Sequence, residues 1–123
     1  MTERADLALM RLEVNPAKLV NYLLSRSHPL GRTKAAYFRA LGFREEAPVE
    51  LELALLGHAR ENPVATREAT RFGSKYVVDG MFGAPNGERV ELRSIWFVEL
   101  GAELARFVTA YPIVAGRERK DHA

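Results

Sequence analysis

Hydrophobic residues recur at helical spacing through the first half of the chain and alternate with polar residues through the second half. Asn15-Pro16 is typical of a helix N-cap followed by the first helical residue, and it predicts a short amphipathic helix over residues 16 to 25. Thr33 can cap a second helix, and Gly42 stands where a helix ends in a left-handed residue.

A third helix is predicted between Pro48 and the Asn62-Pro63 step, because proline suits the first turn of a helix and the second proline stops it. His58 falls on the apolar side of this helix, so we interpret it as a buried, hydrogen-bonded packing residue. The change from helical to alternating period comes near Asn62-Pro63. The first fourteen residues fit neither period cleanly.

Alternation predicts half-buried strands over residues 75 to 82 and 89 to 98. Asn86-Gly87 lies between them and is a strong signal for a hairpin turn, because both residues tolerate positive φ. Trp96 falls on the apolar face of the second of these strands and is expected in the core. Two further strands are expected, at residues 66 to 72 and 105 to 111.

These elements predict an α+β fold with three N-terminal helices packed on one face of an approximately four-stranded antiparallel meander, and with no parallel strand pair. A chain of 123 residues that is 47% hydrophobic can bury one core but is short for two ordinary domains. We therefore expect a single domain. Its expected parts are an unassigned segment at 1–14, a helical half at 15–62, an antiparallel sheet at 63–113 and a frayed tail at 114–123.

Cysteine is absent and the three histidines lie far apart, so the sequence has neither disulfides nor a metal-ligand spacing. We expect no metal and no cofactor, since the chain also lacks a Walker loop and a GxGxxG turn. The apolar runs are far shorter than the roughly 20 residues that cross a bilayer. No membrane contact and a cytoplasmic location are therefore expected.

The distribution of charge is the strongest clue to function. The whole chain has a net charge of only +2, yet residues 14 to 44 contain no aspartate or glutamate. This acid-free segment contains one histidine, His28, and six cationic residues: Lys18, Arg26, Arg32, Lys34, Arg39 and Arg44. A segment whose charged side chains are all positive attracts anions such as phosphate. Arg32 and Lys34 also lie at the start of a predicted helix, whose unpaired N–H groups favour anions.

His28 is the candidate for proton transfer. Its imidazole titrates near neutral pH, and phosphodiester cleavage needs proton transfer at both the attacking and the leaving oxygen. The alternative is that the His28-Pro29 loop is ordinary solvated surface.

The predicted sheet supplies further candidates. Arg93 can bind phosphate oxygens bidentately. Glu91 lies between it and Arg89 on the same strand face, so an intrastrand or cross-strand ion pair is the simpler interpretation. Thr109 and Tyr111 point the same way from the last strand, where their hydroxyls can bond a phosphate and the ring can stack on a base. They can equally be core residues with polar tips. Lys75 is a further cation for phosphate.

An ordered set of motifs extends over residues 16 to 112: Lys18-Leu19-Val20-Asn21-Tyr22-Leu23-Leu24, His28-Pro29-Leu30-Gly31-Arg32-Thr33-Lys34-Ala35, Pro85-Asn86-Gly87 and Val108-Thr109-Ala110-Tyr111-Pro112. This set resembles an uncharacterised bacterial domain family that is found alone and at the C-termini of polymorphic toxin-like proteins. The resemblance implies an association with toxins and no particular reaction. The order of elements is also similar, more loosely, to ribonuclease toxins of the barnase, colicin and RelE-like group.

Together these features support the hypothesis of a metal-independent ribonuclease-like toxin, or toxin-derived domain, that acts on RNA phosphodiesters. The candidate residues are His28, Arg93, Thr109 and Tyr111 for catalysis and Arg32, Lys34 and Lys75 for phosphate binding. One alternative is a non-catalytic module that binds nucleic acid or protein, and another is an antitoxin or immunity partner. The expected partner is accordingly RNA, or a cognate antitoxin or immunity protein.

Overall fold

A computed structural model describes Leu7, residues 10 to 19 and residues 32 to 113 of the chain. The helices are α1 (Pro16–Lys18), α2 (Arg32–Ala40) and α3 (Pro48–Glu61), and the strands are β1 (Arg11–Glu13), β2 (Val64–Thr70), β3 (Gly73–Gly83), β4 (Arg89–Glu99) and β5 (Leu104–Pro112). No helix in these described ranges is long and apolar enough to cross a membrane.

The sheet is five-stranded and mixed, with the order β1-β5-β4-β3-β2. β1 pairs with β5 in parallel, whereas the other three strand pairs are antiparallel. The predicted fold, with three helices ahead of a four-stranded antiparallel meander, is therefore wrong. The helices lie between the first and second strands of the chain. The error has a physical cause, because β1 has only three residues, Arg11–Glu13, which are too few to show an alternating period.

The hairpin of β3 and β4 is confirmed. Its two strands form eleven antiparallel residue pairs, from Gly73 with Glu99 to Gly83 with Arg89. Gly87 has a φ of 92°, and the Asn86 side chain accepts a 2.9 Å hydrogen bond from the N–H of Glu88. The hairpin turn therefore includes Asn86-Gly87 as predicted, but of these two residues only Gly87 has a positive φ, and the loop between the strands has five residues, 84 to 88.

The predicted helix boundaries are correct in part: Thr33 is not the N-cap of α2, because this helix already begins at Arg32. The Asn15 side chain accepts a hydrogen bond of 2.9 Å from the N–H of Ala17, which confirms the N-cap of α1. Residues 20 to 25 of that predicted helix lie outside the described residues. Gly42 ends α2 with a φ of 106°, and α3 begins at Pro48, as predicted.

The core lies between α3 and one face of the sheet, which we call the inner face. Trp96 is fully buried there, which confirms its predicted place. Leu51, Leu55 and His58 are buried on the side of α3 that faces the sheet. We call the opposite surface the outer face. The strand register places these residues on it: Lys75, Val77 and Asp79 of β3, Arg93, Ile95 and Phe97 of β4, and Arg106, Thr109 and Tyr111 of β5.

Candidate functional site: a charged cluster on the outer face

Asp79, Arg93 and Tyr111 form one row across the three central strands of the sheet. Arg93 lies directly opposite Asp79 on β3 and directly opposite Tyr111 on β5. It donates two parallel hydrogen bonds to the Asp79 carboxylate, Nε to Oδ1 and Nη2 to Oδ2, each 2.8 Å long. Both side chains are about a quarter exposed, so this bidentate pair is partly shielded from solvent.

The electrostatics of Arg93 are set mainly by this pair. The hydrogen bonds that Arg93 donates to Asp79 raise the pKa of the guanidinium above its usual range, and a hydrogen bond to the Tyr111 side chain acts in the same direction. Arg93 therefore stays charged, and one edge of its guanidinium is directed at a carboxylate. The ion-pair interpretation of Arg93 is thus correct in its cross-strand form, with Asp79 as the partner.

Lys34 brings a second cation to the same row from helix α2. Its ammonium donates a 2.9 Å hydrogen bond to Oγ1 of Thr109 and lies 5.7 Å from the ring centroid of Tyr111. The register of β1 with β5 ends at Arg106, so on the side of β5 away from β4 none of the described strands pairs with it at Thr109. This open edge lets a helical side chain reach a strand residue 75 positions later in the chain.

Four of the seven predicted site residues therefore come together. We call the group of Lys34, Asp79, Arg93, Thr109 and Tyr111 the Arg93 cluster. It holds two cations, one carboxylate and two hydroxyl groups, a composition that suits contact with an anion.

Of the other three candidates, only Lys75 can be placed, and it lies outside the Arg93 cluster. Lys75 is four residues from Asp79 along β3, about 13 Å away at the rise of a strand, and pairs with Glu68 at 3.5 Å. His28 and the side chain of Arg32 lie outside the described residues. Among the described residues, no group of three or more His, Cys, Asp or Glu side chains could hold a metal ion.

Residues 7 to 114 match the family model of a domain of unknown function (DUF6883). The chain belongs to this family. Its fold is also similar to one chain of a contact-dependent growth inhibition toxin–immunity protein complex from Klebsiella pneumoniae 342, with a TM-score of 0.64 and 21% sequence identity, over 90% of this chain and 99% of that chain. At this identity the likeness shows a shared fold. No curated protein sequence matches the chain.

His58 of this DUF6883 domain lies on the inner face, away from the Arg93 cluster. Its Nε2 is 2.9 Å from the carbonyl oxygen of Leu92 and 3.2 Å from that of Gly80, so this nitrogen must be a donor. Its Nδ1 therefore accepts from the Ser94 hydroxyl at 2.9 Å, and the same hydroxyl oxygen accepts from Nε1 of Trp96 at 2.9 Å. The arrangement fixes one neutral tautomer of His58.

Burial lowers the pKa of His58, and the two carbonyl groups oppose that shift only in part. Both His58 and Ser94 are almost completely buried, so the pair is closed to a substrate. The prediction that His58 is a hydrogen-bonded packing residue is confirmed.

Asp79 is the cluster member that the sequence did not reveal. It interrupts an apolar run, Val77 and Val78, in the middle of a strand, and a carboxylate in such a place needs a partner. That signal predicts a cross-strand cation once the register of the hairpin is known. A two-residue Asn86-Gly87 turn would pair Pro85 with Glu88 and therefore Asp79 with Ser94. The loop that forms has five residues, 84 to 88, and its register pairs Asp79 with Arg93 instead.

Proposed function

We propose that this DUF6883 domain is a ribonuclease-like toxin, or toxin-derived domain, that cleaves RNA phosphodiesters without a metal ion. The observation that supports this most is that Lys34, Arg93, Thr109 and Tyr111, which lie far apart in sequence, meet on the outer face of the sheet. The shared fold with a chain of a toxin–immunity protein complex agrees with the proposal.

In this proposal the Arg93 cluster holds the phosphate. A phosphate oxygen at the Thr109 hydroxyl would lie beside the Lys34 ammonium, which contacts that hydroxyl at 2.9 Å. An ammonium has three N–H donors, so it can bind Thr109 and a phosphate oxygen together. Arg93 adds a permanent charge and holds the Tyr111 hydroxyl, while Asp79 fixes the guanidinium in place. Positive charge set in advance stabilises the charge that develops on phosphorus-bound oxygens.

His28 is the proposed proton-transfer group. It would accept the proton of a ribose 2′-hydroxyl as the 2′-oxygen bonds to phosphorus, and the imidazolium so formed would give that proton to the departing 5′-oxygen. The bond from phosphorus to the 5′-oxygen breaks, and a 2′,3′-cyclic phosphate remains. Lys75 and Arg32 would contact neighbouring phosphates of the strand.

The test is to incubate the purified domain with total RNA in the presence of EDTA. Cleavage with a cyclic phosphate product supports the proposal, and Lys34→Gln and Tyr111→Phe should slow it. Arg89→Gln is the matched control, because it removes one charge from an exposed residue at the hairpin end of β4. His28→Ala should abolish cleavage and leave binding intact. Cleavage of an RNA whose 2′-hydroxyls are replaced by hydrogen would contradict the mechanism.

A non-catalytic binding module or immunity partner is the second candidate function. The bidentate contact of Arg93 with Asp79 favours it, because this contact occupies the edge of the guanidinium that would otherwise bind phosphate oxygens. The same incubation separates the two functions. Salt-sensitive RNA binding without cleavage would support a nucleic-acid-binding module, and neither binding nor cleavage would support a protein-binding role.

A further inference from the structure

A cleft of about 610 Å³ opens beside β5, at the end of the outer face away from the Arg93 cluster. Its lining includes an aromatic ring, Phe97, two cations, Lys18 and Arg106, and one carboxylate, Glu13. Phe97 is four residues from Arg93 on β4, a distance of about 13 Å at the rise of a strand. The cleft is therefore separate from the Arg93 cluster but on the same surface.

The strand register surrounds Phe97 with charged neighbours. Lys75 of β3 lies opposite it on one side and Arg106 of β5 on the other, and Glu13 of β1 lies opposite Arg106. A flat aromatic ring between two cations is the arrangement by which proteins bind single-stranded nucleic acid, with the base on the ring and the phosphates on the cations.

Gly73 makes room for the Phe97 ring. A side chain at Gly73 would place its Cβ only 2.8 Å from Cζ of Phe97, so the tip of the ring lies over the bare backbone of β3. Phe97 is half-buried as a result, which holds the ring against the sheet. A ring held in this way loses little conformational entropy when a base stacks on it.

The cations of the cleft are able to exchange partners. Arg106 lies 3.7 Å from the Glu99 carboxylate, and both side chains are more than half exposed. An exposed ion pair of this kind contributes little stability, so a phosphate can replace the carboxylate at small cost. Glu13 is the one carboxylate among the lining residues, and Glu99 beside Arg106 is a second, so binding of a phosphate requires Arg106 to leave Glu99.

From this geometry we propose that the Phe97 cleft is a subsite for one nucleotide of single-stranded RNA, with the base stacked on Phe97 and a phosphate held by Lys18 and Arg106. The inference rests on the proposed function, because it assumes that RNA is the substrate. It adds a second contact point, about 13 Å from the Arg93 cluster, along the path of the strand.

The probe for this subsite is a short 2′-O-methyl RNA of mixed sequence with a fluorescent label, which binds but cannot be cleaved through its 2′-oxygen. Anisotropy should show that Phe97→Ala weakens binding by about 5- to 150-fold, the range expected for one base–aromatic stack. Phe97→Tyr keeps the ring and should retain binding. Phe97→Leu keeps apolar bulk without a ring and should bind as weakly as the alanine variant.

Phe72→Ala is the matched control, since Phe72 is a largely exposed aromatic in the turn between β2 and β3 and does not line the cleft. It should leave the affinity unchanged, and thermal unfolding should show that every variant is folded. Equal loss of affinity in the Phe72 and Phe97 variants would overturn the subsite.

Two further outcomes separate this inference from the proposed function. If the unmodified domain binds RNA, and Lys34→Gln weakens binding but Phe97→Ala does not, the subsite is wrong and the proposed function stands. If the unmodified domain binds no RNA but binds a protein through this face, both are wrong.

Discussion

Arg93 and Asp79 are joined by two parallel hydrogen bonds of 2.8 Å at directly opposite positions of β4 and β3. Two parallel hydrogen bonds fix the plane of the guanidinium relative to the plane of the carboxylate, so the Arg93 side chain has little freedom to rotate. Tyr111 lies directly opposite this guanidinium in the register of β4 with β5. The Arg93–Asp79 ion pair thus holds the centre of the Arg93 cluster in one geometry.

We expect a double-mutant cycle with Arg93→Met and Asp79→Asn to give a coupling free energy of about 1–2 kcal/mol. The value should exceed that of exposed pairs because the bonds are bidentate and charge-assisted, while partial solvent exposure limits it. Urea unfolding of the two single variants and the double variant measures it. The Lys75–Glu68 pair, at 3.5 Å and more exposed, is the control and should couple by less than about 0.5 kcal/mol. Equal coupling in the two pairs would contradict this interpretation.

His58 should make the domain less stable at mildly acidic pH. Burial lowers its pKa in the folded state below the ordinary value of 6.5, so below pH 6.5 the unfolded chain binds more protons than the folded one. The stabilisation is therefore complete above about pH 6.5 and is lost as the pH falls toward the folded-state pKa. Nearby Asp79 and Glu61 oppose the shift without cancelling it.

Urea unfolding between pH 8 and pH 5 tests this prediction. His58→Gln keeps an N–H donor for the Leu92 carbonyl and has no titratable ring, so its stability should vary less with pH over the same range. Equal pH dependence in the variant and the unmodified protein would show that other groups are responsible.

Trp96→Ala should lower the free energy of unfolding by about 3–5 kcal/mol, because it leaves a cavity where a fully buried side chain packs against Phe107. Trp96→Phe should cost less, since it keeps most of the volume and loses only the N–H donor to Ser94. Iodide should hardly quench the fluorescence of the folded unmodified protein. Strong quenching would contradict the burial of Trp96.

Gly42→Ala should destabilise the protein more than Gly87→Ala. Both glycines have a positive φ, 106° and 92°, so alanine strains the backbone at either position by about 1 kcal/mol. A Cβ at Gly42 would also lie 3.1 Å from Cβ of Pro85 and 3.2 Å from the N of Asn86, whereas a Cβ at Gly87 would meet nothing within 4 Å. Thermal unfolding of both variants compares them. Equal losses would mean that the end of α2 can move away from the hairpin.

The parts of the fold that the sequence predicted correctly are those set by neighbouring residues. Asn15 caps α1 and Asn86-Gly87 closes the β3–β4 hairpin through contacts within a few positions of the chain. The parallel pairing of β1 with β5 joins segments more than ninety residues apart, such as Arg11 with Leu104. No local sequence pattern predicts a pairing over that distance. Three residues bury too little surface to leave a periodic signal.

The candidate site also has features that local sequence predicts and features that depend on the complete fold. Alternation of side chains along β5 correctly predicted that Thr109 and Tyr111 share a face, because they are two residues apart. The contact of Lys34 with Thr109 depends on the open edge of β5, and therefore on the complete topology. Lys75 lies on the same face but opposite Phe97, far from Arg93. This position depends on the register of β3 with β4 and cannot be read from the residue type.

The acid-free segment, residues 14 to 44, should carry much of the salt dependence of RNA binding. Each phosphate contact with a single strand contributes about 0.7 to the slope of log affinity against log salt concentration, because bound counterions are released. Replacing Arg32 and Lys34 with glutamine should therefore reduce the slope by up to about 1.4 and weaken binding at low salt. The matched control replaces Arg67 and Arg71, two exposed arginines of β2 and the following turn, and removes the same charge. His28→Ala should leave the slope unchanged. Anisotropy titrations at several salt concentrations give all three slopes, and equal reductions in the two double variants would mean that the domain binds RNA only through its overall charge.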